Sequence, residues 1–490
     1  MKKNILKNKL FMNIFLLSIF LIILTASIPP KYSFGGDSLF QYVHASQVGL
    51  FPYPKIGIHC LWMMPLGDCD LTSFNMIHKN DEYISPFSYS IIFVKFLLLQ
   101  ILPAESFIYA GLFLFLLSCY IITPNIKNKQ LLILTMMLVS PFYFHAIGFL
   151  DVAISNLLIL LGMHREDRKL ESLTYFSLAS WFRIETIIFT GIYHLIKDNS
   201  LLVKVRNLFL IVFVFAIYSV GNFHFYSSIF GERVNSNLGG MLNLFTFDRL
   251  QIIASLLFYG NSRVGFLLYC LYVLPFYYYF LFVNKEKNSQ KIVLSLILAM
   301  LVTVFFSPND SNIDWGSRYL SHFGIVTIFL IAKFDIDNFW RNKYLKFLTI
   351  ALLIFSFFVS YNYFKIYRIS GKQIKKFQEV FLFANSQNLL FNNQFLANHS
   401  GLDVLSRRYI LIPKEENKWT SLKANILETE SDVTFIFFDI GQTTNTQEKN
   451  ILTDESQFSN KVIEFLDQNY HRKNEKSQHN IRAIHYLKKN

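Results

Sequence analysis

Long apolar runs separated by short basic clusters recur along most of this chain, near 10–28, 87–103, 105–123, 130–147, 150–162, 172–196, 207–222, 264–283, 292–307, 319–332 and 347–364. A helical crossing of a bilayer needs about 20 such residues, so some runs are expected to be single spans and others not. Only 16% of the 490 residues are charged and 53% are hydrophobic, whereas an ordinary soluble domain carries about 25% charged residues. The expected fold class is therefore an α-helical polytopic membrane protein with about 10 to 13 transmembrane or re-entrant helices. The first run, Leu10–Ile28, follows Lys2, Lys3, Lys7 and Lys9. It exceeds the roughly 7 to 15 apolar residues of a signal-peptide core, and Pro29-Pro30-Lys31 is a poor small-residue cleavage site; a retained first helix is expected.

The formal net charge of +13 does not imply a nucleic-acid partner, because the basic residues fall in clusters between apolar runs instead of forming one stripe. With a cytoplasmic N-terminus, the clusters Lys127/Lys129, Arg165/Arg168/Lys169, Lys197/Lys204/Arg206, Lys285/Lys287/Lys291 and Lys333/Arg341/Lys343/Lys346 all fall inside. Nineteen basic residues then face the cytoplasm and seven face outward, which follows the positive-inside rule. The expected location is the bacterial cytoplasmic (inner) membrane, with residues 29–86 forming a large extracytoplasmic loop.

Two runs resist a single-span reading. Residues 87–123 are split at Pro103-Ala104-Glu105, and the first half is expected to be a re-entrant or interfacial helix belonging to the outer loop. Residues 172–196 are too long for one span and hold Arg183 and Glu185 near the middle, so two short helices meeting at a cavity-facing break are expected; irregular backbone at membrane depth survives only under cover of protein or water. Past residue 365 the character changes. Tyr409–Pro413, Val433–Phe438 and Ile481–Tyr486 read as strands, with helical patterns near 372–391 and 459–469. The expected organisation is a membrane domain over 1–365 and a small soluble α/β domain over 366–490, placed by parity on the extracytoplasmic face. Cys119 and Cys270 lie in apolar runs, whereas Cys60 and Cys69 share the outer loop, where an oxidising compartment permits a disulfide.

Charged residues at the membrane are the candidate sites. Asp37, in Gly35-Gly36-Asp37-Ser38, follows the first span and also reads as an N-cap for a helix starting near Leu39. Asp151 opens a later span on the same face and caps it or serves as a ligand. Arg183 and Glu185 interrupt an apolar stretch, and ionisable groups at that depth mark a path or a site. Two residues apart on a continuous helix they point in different directions, which favours Arg183 as a partner for an external anion over an ion pair with Glu185. Asp314-Trp315-Gly316-Ser317-Arg318-Tyr319 is the densest polar constellation near the membrane. Trp315 and Tyr319 suit an interfacial belt, and Arg318 offers a phosphate a forked donor that lysine does not match. No Gly-rich phosphate loop, serine elbow or His-Glu-x-x-His motif is present, so nucleotide hydrolysis and metalloprotease chemistry have no support.

Taken together, the first span, Gly36-Asp37 opening a long outer loop, Asp151, Trp181-Phe182-Arg183-Ile184-Glu185 and the late Trp315-Gly316-Ser317-Arg318-Tyr319 resemble the GT-C superfamily of integral-membrane glycosyltransferases, over roughly residues 1–365. That superfamily includes protein mannosyltransferases and lipid A aminoarabinose transferases. The resemblance implies sugar transfer from a polyprenyl-phosphate donor to a lipid, glycan or protein acceptor on the extracytoplasmic face, with inversion. It implies Asp37 as catalytic base, Arg183 or Arg318 on the phosphate, and Asp151, Glu185, Asp314, Trp315 and Tyr319 as substrate-binding residues. No cofactor is implied, and no residue pattern supports a divalent metal where arginines carry the phosphate charge. Ser38 departs from the pattern, because several members place a second acidic or aromatic residue there. Two rival readings are a transporter or flippase of lipid-linked saccharide, against which stands the lack of an internal repeat, and a polysaccharide polymerase or ligase, against which stands the short loop 308–318.

Overall fold

The computed structural model describes residues 2–28, 41–42, 45, 77–79, 82–84, 87–123, 127–226, 247–260, 263–284, 286–307, 316–383, 386, 388–393, 396, 408–412, 419–420, 423, 426–427, 432–438, 446–478 and 481–489. Asp37, Cys60, Cys69, Asp314 and Trp315 lie outside the described residues. The chain forms two compact units, 1–27 with 87–366 and 28–86 with 367–490.

The first unit is helical. Helix α1 (Lys2–Ala26) is followed in this unit by α2 (Tyr89–Leu99), whose N-cap Ser88 accepts a hydrogen bond from the Ser90 amide. Eleven residues rise only about 16 Å, well short of the ~30 Å hydrocarbon core, so α2 does not cross. It groups with the helical unit and not with residues 28–86. The next helix, α3 (Phe107–Ile122), begins beyond Pro103 and belongs to a 19-residue apolar stretch from Ala104 that is long enough to span.

The run 130–147, one apolar stretch in the sequence, is two helices, α4 (Lys127–Leu138) and α5 (Phe142–Gly148), bent by 54° at the intervening break. Pro141 sits in that break, where its missing N–H and bulky ring prevent the helix from running through. Thr25 and the Tyr143 hydroxyl share a 2.8 Å hydrogen bond that ties α1 to α5.

Then come α6 (Leu150–His164), α7 (Lys169–Phe182), α8 (Thr186–Lys197), α9 (Leu201–Tyr226) and α10 (Phe247–Leu257). A short antiparallel hairpin pairs Tyr259–Gly260 with Arg263–Val264. The run 264–283 is also broken, into Phe266–Tyr269, Val273–Tyr278 and a π-helical turn at Tyr279–Val283. The unit closes with α11 (Lys287–Phe306), α12 (Ser321–Lys333) and the first part of α13 (Lys343–Phe381). Among the described residues four helices are long and apolar enough to cross a membrane, or five if the bent α4–α5 pair counts as one span.

Cross-links at their ends fix the sense of α6, α7, α8 and α12. Ser172, near the start of α7, donates to the Gly162 carbonyl near the end of α6 at 2.7 Å, so the two run antiparallel. Asn156 of α6 donates to Ser321 at the start of α12 at 2.8 Å. The far ends of α8 and α12 converge through Lys197 and Lys333, which both bind Glu166 in the turn after α6. Helices α6, α8 and α12 therefore start at one end of the bundle and finish at the other, while α7 returns between them.

The second unit carries a five-stranded sheet: β1 (Asn388–Phe391), β2 (Arg408–Leu411), β3 (Val433–Phe438), β4 (Tyr470–Gln478) and β5 (Ile481–Lys488), in the order β2-β1-β3-β5-β4. The first three strands are parallel, and β5 and β4 add antiparallel. Leu390 lies beside Phe435, and Phe435 beside Ile484, along a row that is fully buried. Helix α14 (Thr446–Asn469) adds Val462 and Leu466 to this core.

One sequence expectation fails in this unit, and a second element was not anticipated. The helical pattern expected over 372–391 ends at Phe381, and Asn388–Phe391 is instead a buried strand between two parallel neighbours. Its Leu-Leu-Phe run suits a strand covered on both faces as well as it suits a helix. The second is β4, which the sequence did not suggest at all. Its residues Tyr470-His471-Arg472-Lys473-Asn474-Glu475-Lys476-Ser477-Gln478 form a polar edge, and charge on an edge strand discourages pairing with other chains.

Candidate functional site

Two interruptions of helical geometry build the site. Helix α5 gives way to α6 at Phe149, whose backbone is extended (φ −135°, ψ 93°). Helix α7 ends at Arg183, also extended (φ −139°, ψ 101°), and α8 restarts at Thr186. Thr186 secures the second break by donating from both its amide and its hydroxyl to the Arg183 carbonyl, at 3.0 and 2.8 Å. These breaks place Asp151, in the first turn of α6, against Arg183. Nη1 donates to Asp151 Oδ2 at 3.2 Å, and Nε donates to Glu185 Oε1 at 2.7 Å, with Nη2 also against Glu185.

The expectation that helical spacing keeps Arg183 and Glu185 apart is corrected here. Residues two apart diverge on a continuous helix, but the extended residue at 183 swings its guanidinium back over the turn that carries Glu185. Arg183 is thus held by two carboxylates from two elements. An apolar bundle can carry such a group because pairing and hydrogen bonding offset its desolvation.

The third contribution comes from the loop before α12. Gly316 adopts a left-handed backbone (φ 81°), and so does Ser317 (φ 45°). The Gly316 amide donates to the Val264 carbonyl of the short hairpin at 2.7 Å. A β-carbon on Gly316 would lie 2.6 Å from Pro141 Cγ and from Tyr269 Cδ1, so the sequence needs glycine there on two counts. This turn delivers Arg318 and Tyr319. The Tyr319 ring lies 5.3 Å from the Arg183 guanidinium carbon, and the Arg318 guanidinium carbon lies 4.6 Å over the Phe149 ring. The two guanidiniums are close enough to feel each other's charge. Asp151, Arg183, Arg318 and His322 are each at most 6% exposed.

Asp151, Arg183, Glu185, Arg318 and Tyr319 are thus brought together; Asp37, Asp314 and Trp315 lie outside the described residues. Sequence reasoning missed His322 and Phe149. His322 follows Arg318 by only four residues, at the head of an apolar run, and that proximity was the available signal. On the other flank Tyr89 stacks on Tyr218 with ring centroids 5.2 Å apart, and Trp181 lies 6.1 Å from Tyr218. Tyr218 is near enough to Glu185 to sense its charge. Between α10 and α11 an apolar crevice of about 310 Å³ is lined by Ile253, Leu257, Leu301, Val304, Phe305 and others.

A separate polar cluster closes the opposite end. Glu166 accepts from Lys333 at 2.6 Å, pairs with Lys197 at 2.6 Å and accepts from the Tyr193 hydroxyl. Burial alone would push the Glu166 carboxyl up, yet Lys197, with the hydrogen bonds from Lys333 and Tyr193, holds it below its ordinary value. Among the described residues no group of three or more His, Cys, Asp and Glu is placed to hold a metal ion. No family model, curated protein or solved structure matches this chain.

Proposed function

We propose that the chain is an integral-membrane glycosyltransferase of the GT-C type. It takes a sugar from a polyprenyl-phosphate donor and passes it to a lipid, glycan or protein acceptor on the extracytoplasmic face of the cytoplasmic membrane, with inversion. The observation that carries this reading is the buried pair of arginines: Arg183 clasped by Asp151 and Glu185, with Arg318 set beside it by a left-handed turn. Charge buried in an apolar bundle is costly enough to mark a site, and guanidinium is the side chain whose fork suits a phosphate.

In this reading Arg183 is committed to its two carboxylates and orders the site, and Arg318 takes the lipid phosphate. Asp37 accepts the acceptor hydroxyl proton as the oxygen attacks the anomeric carbon. The bond to the phosphate oxygen breaks, its electron pair leaves with the lipid phosphate, and Arg318 stabilises the developing negative charge. One displacement inverts the anomeric centre. The apolar crevice between α10 and α11 offers a berth for part of the prenyl chain. The shorter apolar helices Met12–Ala26, Tyr89–Leu99, Leu150–His164, Thr186–Lys197 and Val273–Val283 join the long ones as spanning or re-entrant helices, ten in all if the bent α4–α5 pair counts as one, with the N-terminus cytoplasmic and the sheet unit outside.

The test is release of polyprenyl phosphate from a panel of polyprenyl-phosphate sugars by purified wild type, Asp37→Asn and Arg318→Lys. Release by wild type, lost in both variants with the fold retained, supports the transferase. Absence of release from every donor, with movement of lipid-linked saccharide across liposomes, replaces it with a transporter.

A further inference from the structure

Several buried polar atoms at the arginine end lack hydrogen-bond partners among the described residues. They are Asp151 Oδ1 and Ser155 Oγ on α6, Ser317 Oγ in the strained turn, and His322 Nε2 in the first turn of α12. Asp151 and Ser155 share a face of α6, being four residues apart. Asn156, next to Ser155, is hydrogen-bonded to Ser321, next to His322, so the middle of α6 is pinned to the start of α12 beside these atoms. The His322 ring packs against Phe323 and Phe189, with centroids 4.0 and 6.0 Å away, and lies within reach of the Arg183 charge.

Buried polar atoms are paired in the great majority of cases, and an unpaired one costs free energy. Several gathered where α6 meets α12 form a set awaiting hydrogen bonds from something else. That partner needs donors and acceptors spread over several directions. The chemistry that fits is a polyhydroxylated ring, since hydroxyls donate to a carboxylate oxygen and also bond to an imidazole nitrogen and to serine hydroxyls. Phosphate fits poorly, because Asp151 already presents a carboxylate oxygen that repels it.

We infer that His322, with Asp151 and Ser155, contacts the sugar ring of the donor, separately from the arginine that holds its phosphate. The inference rests on the transferase reading and divides the site in two: Arg318 reads phosphate, and the α6–α12 junction reads sugar hydroxyls.

The experiment measures binding of undecaprenyl phosphate, bare or carrying glucose, galactose or mannose, to the full-length protein in detergent micelles. Wild type, His322→Phe, His322→Gln and Arg318→Lys are compared. Wild type is expected to bind one glycosylated lipid more tightly than the bare lipid phosphate. His322→Phe, which fills the ring space without hydrogen-bonding, should lose about tenfold for that lipid, the worth of one such bond, leave bare-lipid binding unchanged, and melt no lower than wild type. His322→Gln should recover part of the loss, and Arg318→Lys should weaken both lipids together. Equal losses for both lipids in His322→Phe, unchanged binding in that variant, or a wild type that does not distinguish glycosylated from bare lipid each overturn the inference while leaving the phosphate assignment standing. A wild type that binds none of the lipids overturns the transferase reading and this inference with it.

Discussion

Arg183 and Asp151 stand 32 residues apart in the chain, yet Nη1 reaches Oδ2 at 3.2 Å with both side chains only 7% exposed. The contact joins the end of α7 to the start of α6 and depends on the extended backbone at residue 183. Arg183→Gln is expected to cost about 3 to 5 kcal/mol, because it leaves Asp151 and Glu185 buried without their cation. Adding Asp151→Asn should restore part of that loss, a non-additivity that a double-mutant cycle on detergent unfolding would read. Strict additivity would show that the pair is energetically idle.

Replacing Arg318 by lysine keeps the charge and removes the fork. Because a phosphate bound by two parallel donors is held in orientation as well as by charge, kcat/KM for donor cleavage should fall by roughly a hundredfold, with most of the fall in kcat. An equal effect confined to KM would assign Arg318 to uniform binding of the lipid head.

Acid should loosen the end of the bundle that carries Glu166. Its carboxyl is held below the ordinary 4.5 by Lys197, Lys333 and Tyr193 despite burial. A carboxyl depressed in the folded state binds its proton more readily in the unfolded state. Its contribution is therefore complete above 4.5 and is lost as pH falls from there through the folded value. Thermal melts between about pH 7 and pH 3 should show this loss in wild type and a shallower one in Glu166→Gln; identical slopes would contradict the assignment.

The interior strand β1 should tolerate little truncation. Leu390 is fully buried between two parallel neighbours, so Leu390→Ala should cost about 2 to 5 kcal/mol. Hydrogen exchange should then quicken in β1 and β3 of the full-length chain. Unchanged protection there would place the core of this unit elsewhere.

The helical character of the first unit was legible from its recurring apolar runs, although among the described residues only four helices, or five with the bent pair, are long and apolar enough to cross a membrane. The break inside 172–196 was legible too, from run length and two charges. The bend at Pro141 was not drawn from 130–147, although proline was its signal. In the sheet unit, Leu389-Leu390-Phe391 is too short a run for its period to distinguish helix from strand, and β4 carries no alternation because both faces of an edge can stay wet. The site was legible in part. Asp151, Arg183 and Glu185 betray themselves as charges among apolar neighbours, and their mutual contact depends on a broken helix. Histidine at position 322 drew no notice at the head of an apolar run. The Glu166 cluster joins residues from three distant segments, which nothing local in the sequence announces.

Gly316 has a genetic consequence. Every missense change reachable from a glycine codon by one base introduces a β-carbon, and at this position a β-carbon meets Pro141 and Tyr269 on a backbone with φ of 81°. The codon therefore has no conservative neighbour: alanine and serine are excluded along with arginine and valine. A population carrying this protein should show silent variation at the codon and almost no replacement, a signature that gene sequences alone would reveal.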